Sequence, residues 1–169
     1  LFANQSVCLD TAMQRARAMV AEGASLLDIG GESTRPGADP VSVQQELDRV
    51  VPVIEAIRAS LEVVVSVDTS TPEVMIAAAK AGAGLINDVR ALGREGALQA
   101  AADTQLPVCL MHMQGDPKTM QNNPQYESVV ADVGVYFEQR IAHCERAGIP
   151  LERILIDPGF GFGKTLVHN

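Results

Sequence analysis

The segment Asp157-Pro158-Gly159-Phe160-Gly161-Phe162-Gly163-Lys164 directly follows a short apolar run, Arg153–Ile156. A carboxylate at the end of such a run, followed by a Pro-Gly turn, is typical of the loop after a buried strand in a parallel sheet. The glycines lack the Gly-x-Gly-x-x-Gly spacing of a dinucleotide-binding turn, and Pro158 is not placed to open a helix. The segment therefore predicts a polar site at a strand end and argues against a Rossmann fold.

The same arrangement recurs upstream, where apolar runs with polar ends alternate with helical patterns. The predicted strands are Ser25–Ile29, Val63–Val67, Gly84–Ile86, Pro107–Met111 and Arg153–Ile156. The predicted helices are Leu9–Glu22, Val43–Ser60, Pro72–Ala81, Gly96–Thr104 and Ser128–Ala147. Strands and helices that alternate without hairpin turns predict parallel strands joined by right-handed crossovers.

Local signals support the predicted helices. Ser42 with Gln45 three residues later predicts a capping box at the start of the second helix. Ser70 or Thr71 before Pro72 predicts the start of the third helix, and Gly82 is placed where that helix would end.

Two architectures suit this order: a closed (β/α)8 barrel of the TIM type and an open, doubly wound sheet. We favour the barrel because the first strand is followed by residues 30–37, Gly-Gly-Glu-Ser-Thr-Arg-Pro-Gly, which is not a dinucleotide turn. A barrel runs to about 250 residues. The chain has 169 residues and does not begin with Met, so we expect residues 1–169 to form one partial barrel domain, truncated at both ends, with about five of eight βα units.

Composition narrows the class of protein. The chain is 47% hydrophobic but only 4% aromatic, so its core must be mostly aliphatic. A net charge of −8 argues against nucleic-acid partners and anionic membrane surfaces. Cys8, Cys109 and Cys144 have no paired or metal-ligand spacing, and Cys109 is expected in the core. With no membrane-length apolar stretch and no signal-peptide pattern, we expect a cytoplasmic protein with free thiols.

Polar residues end every predicted strand, and in a barrel such residues converge on the mouth. They are Asp28, Asp68, Asn87-Asp88, Met111-His112 and Asp157. A ring of carboxylates and carboxamides suits a polar heterocycle, because a carboxylate can accept two parallel N–H bonds and Asn both donates and accepts. The separation of these residues carries no metal-ligand signature.

Residues 30–37 combine glycines, two hydroxyls and an Arg, which predicts a mobile lid that contacts an anion. Phe162, between two glycines, could stack on a ring, whereas Lys164 could equally be solvated or contact a ligand. We expect His112 to be a supporting hydrogen-bonding residue rather than a catalytic base, and His143 to lie on the surface.

Taken together, these motifs resemble the dihydropteroate synthase family of folate biosynthesis. The matching segments are residues 27–37, 66–70, 86–88, 110–115 and 157–164, and the resemblance runs from about Ala21 to Asn169. It implies a transferase that condenses 6-hydroxymethyl-7,8-dihydropterin pyrophosphate with 4-aminobenzoate, releasing 7,8-dihydropteroate and pyrophosphate.

The resemblance also assigns roles to residues. Pterin contacts are implied for Asp68, Asn87, Met111 and Asp157. The catalytic residues implied are Thr34 and Arg35, in a loop that closes over pyrophosphate and aminobenzoate. Pro36 and Phe162 would line the aminobenzoate pocket, where sulfonamides compete.

The family pattern extends past both ends of this chain. Its Mg²⁺-associated Asn would precede Leu1 and its late Lys, Arg and His would follow Asn169, so the resemblance implies Mg²⁺ without a metal ligand in this chain. We expect the chain alone to be weakly active or inactive, and the full-length protein to be a possible homodimer. Two alternatives stay open: a non-catalytic pterin-binding homologue and a corrinoid-linked methyltetrahydrofolate methyltransferase barrel.

Overall fold

A computed structural model describes residues 9–33, 39–115, 120 and 124–169 of the chain. Strands and helices alternate throughout these residues. In chain order they are α1 (Leu9–Ala21), β1 (Leu26–Gly30), α2 (Val43–Ser60), β2 (Val64–Asp68), α3 (Pro72–Ala81), β3 (Leu85–Asp88), α4 (Ala97–Thr104), β4 (Val108–Met111), α5 (Val129–Arg146) and β5 (Ile154–Asp157). A single 3-10 turn, Leu151–Arg153, precedes β5.

The described strands form one parallel sheet in the order β1-β2-β3-β4-β5. Each strand pairs with the next one in sequence, and each helix contacts the helix that follows it. A doubly wound sheet reverses its strand order at a switch point, and no reversal occurs here. The winding is that of a (β/α)8 barrel, of which these residues form part.

The core lies between the sheet and the helices. Alternate strand residues, such as Ile29 and Val67, point to this layer and are fully buried. They pack with the apolar stripe of α2, in which Ile54 and Ile57 are also fully buried. Burial of each such side chain contributes about 2–3 kcal/mol. The remaining strand residues, among them Asp28, Asp68 and Asn87, face the other side of the sheet.

Most of the predicted boundaries are confirmed to within two residues. The bounds of α2 and α3 are those predicted, and the capping box is present: Gln45 N donates to Ser42 Oγ at 3.2 Å, and Ser42 N donates to Gln45 Oε1 at 3.0 Å. Thr71 is the N-cap of α3, and Gly82 ends this helix with a φ of 106°. Local chemistry therefore decides where these helices begin and end.

The prediction for Cys109 is wrong. The side chain is only half-buried, because β4 turns it to the same side of the sheet as Asn87, its register partner, and not to the helix side. Burial, followed by the charges of Asp157 and Asp28, raises the pKa of the Cys109 thiol to about 11. Cys109 and Cys144 are free thiols, and Cys8 lies outside the described residues. Among the described helices, none has the length and apolar character needed to cross a membrane.

Candidate functional site

The carboxyl ends of the strands bring the predicted pterin contacts together in two register pairs. Asp68 is the partner of Asn87 between β2 and β3, and Met111 is the partner of Asp157 between β4 and β5. Since side chains alternate along a strand, Asp68 and Asn87 point to the side of the sheet away from the helices. Both pairs therefore lie at the same edge of the sheet, the one formed by the carboxyl ends of the strands.

Asp28 adds a third polar group beside Asp68 and Asn87. One of its oxygens, Oδ2, accepts a hydrogen bond from Asn87 Nδ2 at 3.2 Å, and Oδ1 accepts one from the Ser66 hydroxyl. Gly30, two residues after Asp28, leaves room for Asp68, since a Cβ at Gly30 would lie 3.3 Å from Asp68 Oδ2. The first three strands thus form a compact polar cluster.

The surroundings of Asp68 in this cluster change the pKa of its carboxyl group. Burial raises the pKa of Asp68 to about 7, with further upward contributions from the charges of Asp28 and Asp88. A carboxyl group with this pKa exchanges its proton near neutral pH. Asp68 can therefore serve as a hydrogen-bond donor or as an acceptor toward a bound ligand.

Asp88 follows Asn87 but has a different role. Its side chain is fully buried and accepts hydrogen bonds from Arg90 N at 2.9 Å, from Leu92 N at 2.8 Å and from the Ser70 hydroxyl. Burial raises the pKa of Asp88, while these hydrogen bonds lower it. Asp88 shapes the loop after β3, and Asn87 is the member of the pair that reaches the site.

Glu46 of α2 is a buried residue that sequence analysis missed. It is 2% exposed, and its carboxylate accepts from Thr69 Oγ1 at 2.5 Å and from Thr71 Oγ1 at 2.7 Å. Gly31 packs against it so closely that a Cβ there would lie 2.9 Å from Glu46 Cγ. Glu46 occupies the helix face of Val50, four residues later, so its position on the apolar stripe was a usable signal.

The loop after β5 surrounds Asp157 and Phe162. Asp157 Oδ1 accepts a hydrogen bond from Gly159 N at 2.8 Å, which fixes the carboxylate at the start of the loop. Phe162 is half-buried, whereas Phe160 is 67% exposed. The half-buried ring is the one that the predicted site includes.

Lys164 is not solvated. Its side chain is 5% exposed, and Nζ lies 2.9 Å from His112 Nδ1 and 3.1 Å from the Gly159 carbonyl oxygen. Burial, followed by the Lys164 charge, lowers the pKa of His112 to about 4. His112 is therefore neutral at physiological pH, and its interpretation as a supporting hydrogen-bonding group stays a prediction. His143 is exposed, as expected.

Part of the predicted site lies outside the described residues. Thr34, Arg35 and Pro36 belong to segment 34–38, so the lid prediction is not tested. Within the described ranges, no group of three or more His, Cys, Asp or Glu side chains is arranged to hold a metal ion. The carboxylate of Asp28 is engaged by Ser66 and Asn87. These residues do not fit a magnesium site.

Consecutively wound parallel strands with polar side chains at their carboxyl ends define the class of α/β-barrel proteins. The family model described as "Pterin binding enzyme" matches residues 3–169. The chain belongs to the pterin binding enzyme family.

Sequence relatives agree with this assignment. The chain is 60% identical over 158 residues to dihydropteroate synthase of Escherichia coli K12, covering 94% of this chain and 56% of the relative. It is 53% identical over 165 residues to dihydropteroate synthase of Haemophilus influenzae, covering 98% of this chain and 60% of the relative. The chain thus spans less than two thirds of the length of these relatives.

Solved structures show the same fold. A Yersinia pestis dihydropteroate synthase in complex with a sulfonamide drug superposes with a TM-score of 0.94 at 57% identity, covering 96% of this chain and 59% of that one. A Xanthomonas albilineans dihydropteroate synthase with 4-aminobenzoic acid superposes with a TM-score of 0.88 at 53% identity, covering 95% and 57%. The barrel interpretation of the five-stranded sheet is confirmed.

Proposed function

We propose that the protein is a dihydropteroate synthase, a transferase that joins 6-hydroxymethyl-7,8-dihydropterin pyrophosphate to 4-aminobenzoate. The observation that carries the proposal is the alignment of Asp68 with Asn87 and of Met111 with Asp157 along one edge of the sheet. Identities of 53–60% to dihydropteroate synthases over more than nine tenths of the chain support the same activity.

The pterin ring would bind along this edge. The Asp157 carboxylate accepts two parallel N–H groups from the amidine-like edge of the ring, an arrangement that gives strong and directional hydrogen bonds. Asn87, with its amide nitrogen engaged by Asp28, turns its oxygen to a ring N–H. Asp68, which exchanges its proton near pH 7, can pair with a ring nitrogen in either protonation state. Met111 supplies an apolar contact to the ring.

The reaction exchanges one bond at the pterin methylene carbon. The C–O bond to pyrophosphate breaks, and the bonding electron pair leaves with pyrophosphate. The aminobenzoate nitrogen then forms the new C–N bond and loses a proton. The carboxylates of Asp68 and Asp157 would lie beside the pterin ring, on which positive charge develops, and would stabilise this transition state electrostatically. Thr34 and Arg35 would contact pyrophosphate and aminobenzoate, and Pro36 and Phe162 would line the aminobenzoate subsite.

The competitors, the cellular compartment, the cofactor and the oligomeric state belong to the same proposal. The solved relatives named with a sulfonamide drug and with 4-aminobenzoic acid support sulfonamides as competitors at the aminobenzoate subsite. Free thiols and a net charge of −8 support a cytoplasmic protein without nucleic-acid partners. Mg²⁺ as cofactor and a homodimer rest on the family resemblance alone.

The test uses the intact protein and measures pyrophosphate. With the pterin pyrophosphate substrate, release should be slow until 4-aminobenzoate is added and should then rise with its concentration. Pterin binding without release would identify a non-catalytic homologue. Methyl transfer from methyltetrahydrofolate to a corrinoid, without pyrophosphate release, would identify the methyltransferase alternative.

A further inference from the structure

The Lys164 ammonium group is buried among neutral acceptors. It lies 2.9 Å from His112 Nδ1, 3.1 Å from the carbonyl oxygens of Gly159 and Phe162, and 3.4 Å from that of His112. Among the described residues, no carboxylate forms an ion pair with it. A buried cation that is held by neutral groups is costly unless nearly all its hydrogen bonds are made. The four acceptors around the Lys164 ammonium group meet this condition.

The acceptors of Lys164 belong to two loops that carry predicted site residues. His112 opens the loop after β4, directly behind Met111, and Gly159 and Phe162 belong to the loop after β5, behind Asp157. The Lys164 ammonium is thus a bridge between the two loops at the edge where the second register pair lies.

The two loops also touch through their backbones. His112 N donates to the Asp157 carbonyl at 2.8 Å. A Cβ at Gly159 would lie 2.1 Å from the His112 carbonyl oxygen, and one at Gly163 would lie 2.9 Å from Gln114 N. Glycine at these two positions permits an approach that any side chain would block. The Lys164 side chain therefore joins two loops whose backbones are already in contact.

We propose that Lys164 is a positioning residue that locks the loop after β5 onto the loop after β4, through the ring of His112, and so holds Asp157 and Phe162 in place for the two substrates. We call the contact of Lys164 with His112, Gly159 and Phe162 the Lys164 latch. The identity of the ligands rests on the proposed function, whereas the latch itself rests on the geometry.

The chemistry of the pair is consistent with this role. Burial lowers the pKa of Lys164, an effect that the charge of Asp157 partly opposes. Burial and the Lys164 charge lower the pKa of His112, whose ring also contacts Tyr136 with a centroid distance of 4.8 Å. A neutral imidazole with Nδ1 as acceptor must carry its proton on Nε2. The latch therefore selects one tautomer of His112.

The first measurement is a pH titration of the histidine ring nitrogens of the intact protein by ¹⁵N NMR, with the His112 signals assigned from their loss in His112→Asn. We expect His112 to hold the Nε2-protonated tautomer at pH 7 and to stay neutral well below pH 6. In Lys164→Met, which removes the charge but keeps a chain of similar length, the pKa of His112 should rise by about one unit or more. Lys80→Met changes an exposed lysine on α3 and should leave the titration unchanged.

The second measurement is ligand affinity. The dissociation constants for a pterin and for 4-aminobenzoate should each rise about tenfold in Lys164→Met, a loss typical of residues that support a site. His112→Asn, whose side-chain oxygen can replace Nδ1 as the acceptor, should bind ligands more tightly than His112→Leu. Lys80→Met should bind like the unaltered protein.

These results separate the latch from the proposed function. A folded Lys164→Met with unchanged affinities, or an unaltered protein whose His112 titrates at its ordinary value, would overturn the latch. If Lys164→Met does not fold, the His112→Asn and His112→Leu pair decides: equal affinities would overturn it. If the unaltered protein binds pterin but forms no dihydropteroate, the proposed function fails while the titration and the pterin affinities still test the latch.

Discussion

Asn87 Nδ2 donates to Asp28 Oδ2 at 3.2 Å, so the third strand is joined to the first across the inner side of the sheet. Ser66, on the strand between them, donates to the other oxygen of Asp28. Asp28 therefore holds the Asn87 carboxamide in one orientation, with its nitrogen toward β1. Under the proposed function, the Asn87 oxygen would face a ring N–H of the pterin, and Asp28 would act on the ligand only through Asn87.

Replacing Asp28 with Ala should weaken pterin binding about tenfold, because the Asn87 amide loses the acceptor that orients it. The pKa of Asp68 should also fall, since the Asp28 charge contributes to raising it. Calorimetric titration with a pterin measures the first effect. Asp103→Ala, at an exposed position of α4, is the matched control and should bind normally. Equal affinity of Asp28→Ala and Asp103→Ala would contradict the orienting role.

Asp68 should make stability depend on pH. Its pKa is raised from 3.8 to about 7 on folding, so the folded state binds more protons between these values. The free energy of unfolding therefore falls as pH rises from about 4 to about 7, by up to about 4 kcal/mol. Asp68→Asn should raise the melting temperature at pH 8 and leave it nearly unchanged at pH 4. A melting temperature that rises equally at both pH values would contradict the shifted pKa.

Glu46→Gln should destabilise the protein by about 1–3 kcal/mol, because an amide nitrogen cannot accept the hydrogen bond that the lost oxygen accepted. Thr69 and Thr71 each donate to a different oxygen of this carboxylate. Thermal unfolding should show a decrease of about 5 °C. Glu55→Gln, at an exposed site on the same helix, should have little effect. An equally small effect at both positions would mean that the buried bonds do not stabilise the fold.

Gly159 and Gly161 form a matched pair for the loop after β5. Both have a positive φ, 67° and 79°, but a Cβ at Gly159 would lie 2.1 Å from the His112 carbonyl oxygen, whereas one at Gly161 meets no atom within 4 Å. Gly161→Ala should cost only about 1 kcal/mol of backbone strain. Gly159→Ala must push the loops apart, so pterin affinity should fall by at least about tenfold. Similar affinities for the two variants would refute the close approach.

Much of the fold was predictable because its signals are local. The capping residue Ser42, Pro72 in the first turn of α3 and the apolar stripe of α2 act within a few residues. The predicted ends of the strands were less accurate than those of α2 and α3. The predicted third strand stopped at Ile86, whereas β3 continues to Asp88, so the sequence prediction did not assign Asn87 and Asp88 to opposite sides of the sheet.

Other features of the site depend on contacts between distant residues. Lys164 follows a glycine near a loop end, a local context that also suits a solvated lysine, and its partner His112 lies 52 positions away. Cys109 was expected in the core because its run is apolar, and only the register with Asn87 reveals the side to which it points. Local composition does not show which distant residue a side chain contacts or to which side of the sheet it points. The geometry of the sheet shows both.

A dihydropteroate synthase must form dihydropteroate, so the identity of the reaction product decides whether this protein has that activity. The intact protein should be incubated with the pterin pyrophosphate and ¹³C-labelled 4-aminobenzoate, and the products should be separated and identified by mass spectrometry. We predict labelled 7,8-dihydropteroate in a one-to-one ratio with released pyrophosphate, and strongly reduced amounts of both in Asp157→Asn. Pyrophosphate without labelled dihydropteroate, or no turnover by a folded intact protein, would contradict the proposed activity.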